Sequence, residues 1–271
     1  NLCCPNFSLT ERQLGRALGE DDIDTGAVTG QNPRLAAEIT KCIKDSVQIP
    51  VIPKLTPTAL DPGRVAEECE KAGADAFSVV GGPSLGAPPV DIYGAGRPLY
   101  PLMERAAFGA MTGSIIRYAT FRITGQIAQR VQVPVMASGG IDNWEHAIQM
   151  IMWGAQVVSV CTSVMWHGWG VVDKLVKGID RFVAEQGYGS TDDFVGLALQ
   201  HLTSSEDLGL IKGYAVVDTE RCNGCGICTR PGHCNAVTLQ NKKSAIDPHL
   251  CLGCSICVAL CKQKAITMKE A

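Results

Sequence analysis

Eight of the thirteen cysteines lie between Cys222 and Cys261, and that crowding decides what the end of this chain can become. The first run reads CNGCGICTRPGHC, with Cys222, Cys225, Cys228 and Cys234. The second reads CLGCSICVALC, with Cys251, Cys254, Cys257 and Cys261. No signal peptide is visible, so metal ligation rather than disulfide pairing is expected, in a reducing, cytoplasmic setting. Each run is a C-x2-C-x2-C triplet followed by a fourth cysteine, the spacing that holds a pair of [4Fe–4S] cubanes. Short spacers let three thiolates converge on one cubane, and glycine or serine between them keeps the loop tight. The fourth cysteine of each run serves the other cluster. Cys222, Cys225, Cys228 and Cys261 are therefore expected to hold one cluster, and Cys251, Cys254, Cys257 and Cys234 the other. A zinc site built from two CxxC pairs is the alternative, and it leaves both third cysteines idle. The five-residue spacer before Cys234 makes His233 a rival for its place as ligand. Asn235 and Lys262 stand where this spacing usually carries proline.

The body of the chain has a different rhythm. Short apolar runs, VIPKLTP (51–57), ADAFSVVGG (74–82), VPVMASGGI (133–141) and AQVVSVCTS (155–163), alternate with amphipathic stretches such as PGRVAEECEKAG. That is the pattern of βα units around a parallel sheet. Functional-looking residues fall at the carboxyl ends of the strands, as in a (β/α)8 barrel. The turn SGGI before Asp142 suits an anion, because two glycines let backbone N–H groups approach it at a helix start. From Ala147 to Trp166 no residue is charged. Two glutamines, an internal glycine and a β-branched second half favour a buried helix and a buried parallel strand over a membrane span. Net charge is −3, which gives no reason to expect nucleic acid or an anionic membrane as partner.

The motifs NLCCPN, PKLTP, TGSIIR, ASGGI and CTS, in that order and spacing, resemble the flavin barrels of the dihydroorotate dehydrogenase superfamily. The likeness is greater to the dihydropyrimidine dehydrogenase type, in which a ferredoxin-like two-cluster segment follows the barrel. The resemblance implies an α/β chain with part of an FMN-binding barrel in residues 1–212 and a small α+β ferredoxin-like domain in residues 213–271. In that family the Cys-Pro turn ends the fourth barrel strand, and a whole barrel takes roughly 250 residues. The expectation is a fragment of a longer chain, or a barrel completed by another chain.

By the same resemblance, FMN sits at the barrel mouth, its phosphate held by backbone N–H groups at Thr112–Gly113, Gly139–Gly140 and Cys161–Thr162. Lys54 lies beside the flavin, where a fixed ammonium stabilises the negative charge of the reduced ring. Cys4 takes the place of the catalytic acid, supplying a proton as hydride reaches the neighbouring carbon of a C=C bond. Cys3 is given no role. Asn1 and Asn6 are placed to hydrogen-bond a polar planar ring, or else simply shape their turn. Pyrimidine-reducing relatives carry an Asn-Thr pair where this chain has Gly81-Gly82, so uracil or thymine specificity is not implied. No G-x-G-x-x-G joins a strand to a helix; GAGRPL lacks the third glycine. NAD(P)H and FAD are accordingly assigned to an electron-donating flavoprotein subunit or an N-terminal region outside this sequence, with assembly into an oligomer. The leading expectation is an FMN and iron–sulfur reductase of an activated C=C bond in a small molecule. A dihydroorotate-type ring dehydrogenase and a flavin and iron–sulfur electron-transfer subunit are the alternatives.

Overall fold

Polar caps and proline set the starts of the first helices. Asn32 accepts hydrogen bonds from the N–H groups of Arg34 and Leu35, and Pro33 opens a helix whose missing N–H has no intrahelical partner to lose. Asp61 and Pro62 do the same for the next one. In this computed structural model the described residues are 1–3, 27–79, 82–83, 85–99, 105–106, 108–208 and 213–270. They fall into two compact units, Asn1–Leu202 and Thr203–Ala271.

The first unit runs α1 (Ala27–Gln31), α2 (Pro33–Ser46), α3 (Pro62–Lys71), β1 (Phe77–Val79), a small hairpin of β2 (Val90–Asp91) and β3 (Arg97–Pro98), α4 (Arg117–Ala128), β4 (Val135–Ser138), α5 (Trp144–Met152), β5 (Val157–Ser159), α6 (Thr162–His167) and α7 (Gly170–Gln186). β1, β4 and β5 form a parallel sheet in that order, with Phe77 opposite Val135 and Met136 opposite Val157. Parallel strands joined through helices make this unit α/β.

The segment 51–57, expected as a strand, is not a regular one. Pro50 and Pro53 carry no N–H, so the ladder there is interrupted. It still borders the sheet: Leu55 N–H donates to Ser78 O at 2.9 Å, Ser78 N–H to Pro53 O at 3.0 Å, and Leu2 N–H to Lys54 O at 3.0 Å. Asp75 anchors its start, accepting from Val51 N–H at 2.6 Å and pairing with Lys44 at 2.7 Å. Those bonds hold the Asp75 carboxyl below its ordinary range, Lys44 contributing most.

Phe77, Val79, Val135, Ala137, Ile127 and Met150 are almost wholly buried at the centre of the core. A second cluster gathers Ile148, Ile151 and Phe194 under the sheet's helices, with Phe182 and Tyr188 ring centroids 5.5 and 5.2 Å from Phe194. The uncharged stretch resolves as α5 and β5, a helix and a strand as expected. The strand is not buried, however. It lies at the end of the three-stranded order, and Val157 is 46% exposed. Among the described residues no helix is long and apolar enough to cross a membrane.

The second unit contains β6 (Gly213–Val217), β7 (Val237–Gln240), β8 (Lys243–Ile246), α8 (Ile256–Leu260) and β9 (Ile266–Glu270). β6 pairs with β9 and β7 with β8, both antiparallel. The β7–β8 turn has two residues, Asn241 and Lys242, both at positive φ (49° and 60°), as a tight type I′ hairpin requires. Its buried centre is Ala215, Cys228, Cys257 and Ile266.

Candidate cofactor cleft and cysteine sites

The carboxyl ends of the parallel strands meet around one cleft of about 210 Å³. Lys54 enters from the first edge and Gly82 from the loop after β1. Ser138 to Asp142 follow β4, and Ser159 to Ser163 follow β5 into α6. Thr112, Gly113 and Ile116 close it from the connection that leads into α4. Loops beyond strand ends are where α/β sheets bind ligands. The cleft brings together Lys54, Thr112, Gly113, Gly139, Gly140, Cys161 and Thr162, all of the residues assigned to FMN from the sequence.

The walls suit a phosphate monoester. Gly139 and Gly140 sit at φ +131° and +78°, and a Cβ on Gly140 would stand 2.7 Å from Arg117 Cα. Only glycine lets the backbone pass there. The Ser163 hydroxyl, on the cleft wall, is buried and has no hydrogen-bond partner among the described residues. A buried hydroxyl left unpaired in a pocket leaves a donor and an acceptor for a polar ligand, an ion or a water. Asp142 would repel an anion, yet its carboxylate is already engaged. Arg117 pairs with it at 2.7 Å and Ser114 donates to it at 2.6 Å. Arg117 also donates to Gly140 O at 2.7 Å, so one guanidinium fixes both the glycine turn and the acid after it. Burial, and after it Arg117, lower the His146 pKa, while the Asp142 N–H points to its Nδ1 at 3.4 Å.

The Asn1 side chain accepts from Cys3 N–H at 3.1 Å within its own turn. Cys3 is buried. Cys4, Asn6 and Gly81 lie outside the described residues. Gly82 lines the cleft, and a Cβ there would run into Met111 O. Sequence reading passed over Ser138, Asp142, Ser159 and Ser163. All four adjoin or fall within quoted motifs, so extending SGGI and CTS along the chain would have found them.

The tail cysteines surround two smaller cavities. One is lined by Cys222, Cys225, Cys228 and Cys261. The other is lined by Cys234, Cys254 and Cys257, with Cys228 and His233 also on its wall. Cys251 is not on that wall; it receives the Ala215 N–H at 3.4 Å. Backbone amides address other sulfurs too: Ser244 N–H to Cys222 at 3.5 Å and Ala265 N–H to Cys261 at 3.3 Å. The Ser244 and Gly224 amides lower the Cys222 thiol pKa. Amide donors converging on sulfur suit thiolates that ligate iron. Among the described residues no three or more His, Cys, Asp or Glu groups close on a point fit for a single metal ion.

Residues 22–183 match the dihydroorotate dehydrogenase family. This chain belongs to it. Membership implies the (β/α)8 barrel architecture, of which the parallel sheet here is a part. The catalytic subunit of dihydroorotate dehydrogenase B (NAD(+)) from Methanothermobacter thermautotrophicus is 34% identical over 175 residues, 64% of this chain and 55% of that one. The corresponding subunit from Desulforamulus reducens is 31% identical over 198 residues, 73% and 58% of the two chains. The NAD-dependent dihydropyrimidine dehydrogenase subunit PreA of Escherichia coli is 26% identical over 235 residues, covering 84% of this chain and 53% of its own. The chain thus spans a little over half the length of these family members.

Proposed function

We propose that the chain is the flavin and iron–sulfur part of an oxidoreductase that reduces an activated C=C bond in a ring-like small molecule. The supporting observation is the single cleft in which Lys54, Gly139–Gly140 and Cys161–Thr162 converge at the strand ends. Relatives named for dihydropyrimidine and dihydroorotate oxidation agree with it.

In this reading residues 1–212 form the FMN-binding domain and residues 213–271 a ferredoxin-like domain. FMN, when bound, supplies hydride transfer, and two [4Fe–4S] clusters supply single-electron carriage. The glycine turns at 113, 139 and 140 and the Cys161–Thr162 backbone hold the phosphate. Lys54 holds a fixed positive charge at the flavin edge, which favours its reduced anion. Cys4 carries the proton for the substrate carbon next to the one that receives hydride. At Gly82 the wall has no side chain and no room for one, so it offers the substrate no side-chain partner. That favours a less polar ring than uracil. Asn1 and Asn6 are the candidate substrate contacts.

Cys222, Cys225, Cys228 and Cys261 hold one cluster. Cys234, Cys251, Cys254 and Cys257 hold the other. An electron-donating flavoprotein with FAD and NAD(P)H completes the chain of carriers, in a cytoplasmic oligomer with no role for membrane or nucleic acid.

Anaerobic reconstitution tests the reading. Intact protein should bind stoichiometric FMN and iron, and Cys4→Ala should slow turnover of an activated ring alkene by about 10²–10⁴-fold, the range for loss of a proton donor. Undiminished turnover in Cys4→Ala removes the cysteine from the mechanism. Failure to bind FMN removes the reductase.

A further inference from the structure

The two cysteine cavities share a ligand type but differ in what surrounds the sulfur atoms. At Cys222, Cys225, Cys228 and Cys261 the neighbouring strand β8 contributes two consecutive residues. Ser244 is 4% exposed; its N–H donates to Cys222 Sγ at 3.5 Å, and its hydroxyl lies 2.9 Å from Cys228 Sγ. A cysteine bound to iron has lost its proton, so in that state the serine must be the donor. Lys243 reaches the Cys222 carbonyl with its ammonium. Ala265 adds a second amide, to Cys261.

The other set, Cys234, Cys251, Cys254 and Cys257, has no side-chain donor to its sulfurs among the described residues. Ala215 N–H serves Cys251, and the Val258 amide and its own amide serve Cys257. His233 is the titratable group on this wall. Donors to sulfur and a nearby cation stabilise the extra negative charge of a reduced cluster and so raise its potential.

We infer that Lys243 and Ser244 make the cluster held by Cys222, Cys225, Cys228 and Cys261 the more readily reduced of the two. An electron shared by the pair leaves the Cys251 cluster oxidised and rests at the Cys222 cluster. The inference depends on the iron–sulfur reading above, and its test separates the two.

The intact chain is reconstituted anaerobically, its iron and sulfide are measured, and a dithionite titration is followed by electron paramagnetic resonance. Cys225→Ser identifies the wave of the first cluster. In the wild type that wave should be the higher. Ser244→Ala and Lys243→Met should each lower it, reducing its reduced-to-oxidised ratio at fixed poise about tenfold, or 59 mV for one electron. The other wave should stay in place, and Ser244→Thr, which keeps the hydroxyl, should restore the first. If neither variant moves the first wave, or if the second moves instead, the assignment is overturned. Iron and sulfide short of two cubanes in the wild type overturns the iron–sulfur reading itself, before any variant is made.

Discussion

The two units of this protein build their candidate sites in opposite ways. In residues 1–202 a continuous apolar core carries the sheet, and the cleft is laid on top of it by loops at the strand ends. In residues 203–271 the buried cluster among the described residues is Ala215, Cys228, Cys257 and Ile266, half of it cysteine expected to bind iron. The first unit builds a fold and then offers a site. Beyond that cluster the second buries Cys222, Ser244, Ala236 and Ala265 among its described residues, and a core this thin gains much from a metal where one binds.

Chelation of iron from the reconstituted chain breaks the comparison most sharply. Amide exchange protection in β6–β9 should be lost altogether, while β1 and β4 stay protected. Survival of β6–β9 without iron would mean that the second unit folds by packing alone. Phe194→Ala comes next, removing a fully buried ring from the first unit. It should cost about 3–5 kcal/mol in urea unfolding of that unit and leave the iron content unchanged. Smaller is Gly140→Ala. Positive φ costs roughly 1–2 kcal/mol for a residue with a Cβ. The approach to Arg117 adds to that, so FMN should bind about tenfold more weakly by calorimetry, at 1.4 kcal/mol per tenfold. The least effect is expected from pH. His146 has its pKa lowered in the fold, so the unfolded chain takes up its proton first as pH falls. Its contribution is whole above the ordinary value of 6.5 and is lost as pH drops below it toward the lowered folded value. Urea midpoints at pH values on either side of 6.5 should show this, and His146→Gln should flatten the dependence.

What could be read from the sequence follows the same division. Local features were legible: the glycine turn at 139–140 and the spacing of the eight cysteines. Those signals are carried by adjacent residues and by backbone geometry that few side chains permit. Three features were not legible. Val51–Leu55 has the composition of a strand, but Pro50 and Pro53 leave it only partly bonded. β5 has the apolar run of a buried strand and lies at the sheet's end. The links Arg117–Asp142, Asp75–Val51 and Ser244–Cys228 join residues far apart in sequence, and nothing in either partner's neighbourhood announces the other. Ser163 is the instructive middle case: it stands inside a recognised motif, yet its unpaired hydroxyl is visible only once its surroundings are.

The turn at Asn241–Lys242 sets a length standard for everything downstream of it. With two residues it fixes Gln240 opposite Lys243, and the side chain of Ser244 then falls on the cysteine side of the hairpin. Adding one residue would exchange the two faces of β8, presenting Ala245 to the sulfurs and Ser244 to solvent. Spliced peptides and reporter inserts should therefore be kept out of this bend, however open to solvent it stands.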